Sequence, residues 1–129
     1  MGYRSDVALV LTFDGVQFFH SRLKDDDIQV SVQNFLNRAD EHYVDTDTGA
    51  EVWYWEWIKW YAGDICAYTE PTVIEEILGL LDEKDFRFIR LGEEDDDVQN
   101  RGMFFDNPFN VDIVRYINVE EPPGSTRNS

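Results

Sequence analysis

The sequence has a single cysteine, Cys66, so no internal disulfide can brace the fold, and a reducing compartment suits it. Cations are scarce: 11 Lys and Arg stand against 27 Asp and Glu, a net charge of −16. No two of those cations are adjacent. Such a field repels phosphate backbones and favours basic partners, so direct nucleic-acid binding is not expected. No apolar run approaches a membrane span. The opening MGYRSD lacks a signal peptide's apolar core, and Asp6 stands where myristoylation needs Ser or Thr. The expected setting is therefore cytoplasmic, with no membrane partner. GxSxG, GxGxxG, GK[ST], CxxC and HExxH are all missing, and no catalytic or cofactor-binding residue is expected.

What is present is a core's worth of apolar residues. The 129 residues are 43% hydrophobic and 15% aromatic, too aromatic for an acidic disordered chain. One acidic α+β domain is expected over residues 1–119. Residues 120–129, rich in Pro, Gly, Ser and Asn, read as a flexible tail.

Periodicity sets the elements. Asp6–Phe13 alternates with both faces apolar, which predicts a central strand. Asp14 reads as an N-cap for a short helix carrying Val16, Phe19 and Leu23. Asp25–Asp27 precede a second helix with Ile28, Val32, Phe35, Leu36 and Ala39 on one stripe. His42–Asp47 and Glu51–Tyr61 predict two strands about the turn Asp47–Ala50. In the second, Trp53, Trp55 and Trp57 share one face, while Val52, Tyr54, Glu56, Ile58 and Trp60 share the other. Thr72 and Glu75 read as a capping box for a helix that buries Ile74, Ile77, Leu78 and Leu81. Phe86–Leu91 follows as a strand, Met103–Phe105 as a further strand, and Val111–Val119 as the last. The order embeds a βαββαβ unit. The expected fold is a ferredoxin-like α+β sandwich with an extra helix and one or two extra C-terminal strands.

Candidate sites are few. Asp45, Asp47, Gly49 and Glu56 take positions 1, 3, 5 and 12 of a calcium loop, but Ala50 replaces the required Gly and Gly49 offers no side-chain oxygen. An acidic hairpin is the expected reading, and a solvated run is the expected reading of Glu93–Asp97. His20, His42 and Cys66 lack the spacing of a zinc site, and Cys66 between apolar neighbours reads as a small buried hydrophobe. Trp53, Trp55 and Trp57 suit core packing or a protein–protein hot spot. The acids themselves remain. Asp40, Glu41, Asp45, Asp47, Glu51 and Glu56 form a stretch free of Lys and Arg, and Glu93, Glu94, Asp95, Asp96 and Asp97 form a second cluster. Asp45 and Asp47 on one strand would project in a row, about 6.8 Å apart. Such rows imitate nucleic-acid charge, and both clusters are the expected partner-binding residues. Solubility alone is the competing account of the acidity.

The segments MGYRSDVAL, EVWYWEWIKWY, FRFIRLGEEDDD and RGMFFDNPF resemble small acidic proteins carried by bacteriophages and other mobile elements. The resemblance spans nearly the whole chain and brings no catalytic motif, so no functional residues carry over. It implies a bacterial host cytoplasm and a counter-defence or host-takeover role, such as DNA mimicry, anti-CRISPR or anti-restriction action. The expected partner is a basic, nucleic-acid-binding protein. A non-catalytic interaction module or homodimer is the alternative, and a carboxylate-based metal-dependent enzyme the third.

Overall fold

Strand β1 (Ser5–Leu11) is apolar on both faces because both faces are covered. The computed structural model describes residues 3–62, 69–113, 117–119, 122 and 126–127. Val7, Leu9 and Leu11 point to a helical layer, while Ala8 and Val10 point the other way. Helices α1 (Phe13–Leu23) and α2 (Gln29–Asn37) follow, then β2 (Glu41–Val44) and β3 (Glu51–Ile58). Helix α3 (Glu70–Leu78) and a 3-10 turn at Glu83–Asp85 lead into β4 (Phe86–Gly92) and β5 (Val98–Arg101). Among the described residues three two-residue strands follow: β6 (Asp112–Ile113), β7 (Ile117–Asn118) and β8 (Thr126–Arg127).

The main sheet runs β5-β4-β1-β3-β2-β8, and every pairing in it is antiparallel. Its centre, β4-β1-β3-β2 with helices after β1 and β3, is the expected βαββαβ core. On one face the helices bury Phe19, Leu23, Val32, Leu36, Ile74 and Leu78 against Trp53, Trp55 and Phe88. Each fully buried side chain of this size contributes about 1.5–3 kcal/mol. Phe109, Val111 and Ile117 cover the other face, on Val52, Tyr54 and Ile89. Two residues of the expected tail, Thr126 and Arg127, pair with β2.

Several local expectations need correction. Thr12, not Asp14, caps α1, accepting from Gly15 N at 3.0 Å, and Asp14 lies in the first turn. Thr69, not Thr72, caps α3, accepting from Thr72 N at 3.2 Å. Glu75 is thereby released from any box and reaches sideways to Trp60, Gln99 and Arg101. Met103–Phe105 is not a strand, because the chain turns back at once after Asp97 and pairs as β5. Val111–Val119 is not one strand but the β6–β7 hairpin, with Asp112 opposite Asn118.

The alternation of β3 also fails near its end. The β1–β3 register slips between Ser5 and Val7, and Trp57 takes a φ of 56°. This bulge turns Trp57 outward, to 57% exposure, and lets Trp60 return to the core beside Trp55 and Phe88. Trp53 and Trp55 are core, whereas Trp57 is not. Cys66 lies outside the described residues.

Candidate functional site

The sheet has two ends, and its register sorts the acids between them. Ser5 pairs with Ile58 and Gly92, and Glu41 pairs with Tyr54. One end therefore gathers the start of β1, the start of β2, the end of β3 and the β4–β5 loop. Asp6, Asp40, Glu41 and Glu56 lie there with the loop acids Glu93, Glu94, Asp95, Asp96 and Asp97. From β4 to β2 this ledge crosses three strand spacings, about 14 Å.

The four acids of the strands converge on one phenol. The Tyr54 pKa is pushed far above the ordinary tyrosine value, first by burial and then by the charges of Asp6, Glu56, Glu41 and Asp40. Two of these carboxylates also hold the bulge. Asp6 accepts from Trp57 N at 2.8 Å, and Asp40 accepts from Glu56 N at 2.6 Å. Glu41 accepts from the Tyr43 hydroxyl at 2.7 Å. Glu56 is exposed, and Trp57 stands beside it.

The loop is wired to the N-terminal segment. Asp97 takes a two-pronged ion pair from Arg90, at 2.6 and 3.2 Å, and a hydrogen bond from Tyr3 at 2.7 Å. Arg90 and then Tyr3 hold the Asp97 carboxyl below the usual carboxylate range. Tyr3 responds in the opposite sense, its pKa raised chiefly by the bond to Asp97. Glu93 accepts from Arg4 N at 2.6 Å, and Glu94 N donates to the Tyr3 hydroxyl at 3.1 Å. The side chains of Glu93, Glu94, Asp95 and Asp96 are left at the surface.

The remaining predicted acids do not join this ledge. Asp45 is only 4% exposed, since β2 ends at Val44 and the chain has already turned. Its carboxylate accepts from the Thr48 hydroxyl at 2.6 Å, and its carbonyl accepts from Gly49 N at 2.7 Å. Gly49 is required there: its φ is 78°, and a β-carbon would sit 2.7 Å from the Phe13 ring. The expected row of Asp45 and Asp47 is thus absent, and Asp47 alone is exposed. Glu51 pairs with His42 at 2.7 Å, and His42 stacks on Trp53. Glu56 lies five residues along β3 from Glu51, about 17 Å away, so the calcium-loop spacing never closes. Among the described residues no three His, Cys, Asp or Glu side chains gather as a metal site.

A cavity of about 630 Å³ opens beside the ledge between α3, β5 and the N-terminal segment. A continuous hydrogen-bond network lines it. Glu75 accepts from Trp60 Nε1 at 2.8 Å, Gln99 at 3.2 Å and Arg101 at 3.3 Å. Gln99 accepts from Arg90, which runs on to Asp97 and Tyr3. These polar groups satisfy one another, and among the described residues the lining contains no histidine or cysteine. Sequence reasoning missed Glu75 and Arg90, because their partners lie 15 to 26 and up to 85 residues away.

No family model matches the chain, and no curated protein or solved structure matches it.

Proposed function

We propose that this chain is a non-catalytic binding protein, of the kind carried by bacteriophages and mobile elements, that inhibits a host nucleic-acid-binding protein. Its acid-rich sheet end occupies the partner's basic groove in place of DNA. One observation carries the reading: acids far apart in sequence, at positions 6, 40–41, 56 and 93–97, lie at one end of the sheet. Acidity for solubility alone does not require carboxylates held in place by strand register and by the Arg90–Asp97 pair. The surface charge stands on strand ends and on a loop pinned by Arg90 and Tyr3. It meets the partner without first having to be ordered, which limits the entropy cost of association. A basic groove is drawn to such a surface rapidly and in a salt-dependent way.

The test is affinity capture from bacterial lysate at low salt, with double-stranded DNA as competitor. Wild-type protein should retain a DNA- or RNA-binding protein, and added DNA should release it. Neutralising Glu93, Glu94, Asp95 and Asp96 to their amides should abolish retention. Neutralising Asp47, Asp82 and Glu83, which lie off the ledge, should not. Retention that survives both DNA and the loop variant would overturn the reading.

A further inference from the structure

Three of the chain's eleven cations lie together. Arg4, Arg38 and Lys59 line one pocket of about 330 Å³, with Phe35, Trp55 and Ile58 as its apolar floor. They come from three separate parts of the sequence: before β1, after α2 and after β3. Among the described residues no ion pair within 4.0 Å neutralises any of the three. Arg38 acts at longer range, helping to lower the Glu70 pKa behind the larger effect of the Ser31 hydroxyl. In a chain of net charge −16, an apolar hollow ringed by three free cations is an exception in need of an occupant.

That occupant must bring a large apolar group flanked by carboxylates. The basic partner proposed above does not fit, because cation would face cation. Trp57 and Glu56 do fit. Trp57 is 57% exposed, a costly display for an indole, and sits next to Ile58 and Lys59 on the pocket's own rim. A left-handed backbone aims it outward, clamped by the Asp6 carboxylate. It is not among the residues that line its own pocket.

We propose that two copies of this chain associate about a two-fold axis. Trp57 of each enters the Arg4–Arg38–Lys59 pocket of the other, and Glu56 meets the cationic rim. A protruding group beside a complementary hollow is what a closed two-fold contact requires, because the same patch must serve both partners. The inference shares Glu56 with the ledge of the inhibitory reading, and its salt prediction is the opposite one. Long-range repulsion between two copies is screened before contact pairs are, so self-association strengthens from about 10 mM to about 150 mM NaCl. Capture of a basic partner weakens over the same range.

Sedimentation velocity on the full chain tests this, under a reductant that keeps Cys66 from linking two molecules. Wild type should dimerise reversibly in the micromolar range. Its tryptophan emission should shift to the blue with concentration, as Trp57 leaves water. Trp57→Ala should weaken the dimer by about tenfold or more. The double variant Arg38→Glu/Lys59→Glu should do the same. All three positions are exposed, so both variants should fold, with circular-dichroism spectra that match that of wild type. Mixing the two variants restores one knob and one hollow, so the mixture should associate more tightly than either alone. A wild type that stays monomeric, a dimer indifferent to Trp57→Ala, or a mixture no tighter than its components would each overturn the proposal.

Discussion

At position 57 a bulky L-residue holds φ at 56°, where its β-carbon crowds the neighbouring carbonyl at a cost of about 1–2 kcal/mol. Most of the indole is in water, so little packing compensates within one molecule. Trp57→Gly should therefore stabilise the monomer by about 1 kcal/mol, and Trp57→Val should destabilise it by a similar amount, since β-branched residues fit this region worst. Urea unfolding at high dilution measures both. If Gly proves the less stable, the indole is held by packing within the monomer. Asp97 gives a second residue-scale prediction. Its pKa is depressed in the fold, so the stability it adds is complete above the ordinary aspartate value of 3.8 and is lost as pH falls through its lower folded value. Asp97→Asn should cost about 1 kcal/mol at neutral pH, as suits a partly exposed ion pair. The gap should persist to about pH 5 and close below about pH 4. Thermal melts across that range read it directly.

At the scale of elements, the sequence was legible wherever periodicity was uninterrupted. Ile74, Ile77, Leu78 and Leu81 bury as their spacing requires, and β1 is apolar on both faces because a second layer covers it. Legibility ended at element ends, where one hydrogen bond decides. Two residues separate the true α1 cap, Thr12, from the expected one, Asp14. Thr12 is chosen because its hydroxyl both accepts from Gly15 N and donates to Asp85 at 2.9 Å, a partner 73 residues away. Thr12→Ala should thus cost about 1 kcal/mol, and Asp14→Ala only the few tenths expected of a first-turn charge. Denaturant midpoints of the two variants test this, and equal losses would restore Asp14 as the cap. The β3 bulge was equally hidden. Strict alternation assigned Trp57 to the core face and Trp60 to the opposite one, whereas one slipped residue reverses both. The candidate site was half legible: the loop acids were visible as a run, but Asp6 joins them only through strand register. Asp45 leaves them because its carboxylate is spent on a turn.

At the scale of the whole molecule, the same charge that favours a basic partner works against the fold. A net −16 repels itself in the folded state more than in an extended chain. The ion pairs between Arg or Lys and carboxylates that oppose this among the described residues are few: Arg90–Asp97 and Arg101–Glu75. Both belong to the network behind the ledge and are partly buried, so salt screens them less than it screens the exposed carboxylates. Screening therefore removes more repulsion than attraction. Between about 10 mM and about 150 mM NaCl the Debye length falls from about 30 Å to about 8 Å, which is shorter than the ledge of about 14 Å. The melting temperature should rise over that range, and it should rise less in the variant with Glu93, Glu94, Asp95 and Asp96 converted to amides. Differential scanning calorimetry on the two proteins compares them. A melting temperature that falls with salt, or a loop variant that responds as strongly as wild type, would mean that the exposed acids of the ledge do not set the electrostatic strain of the fold.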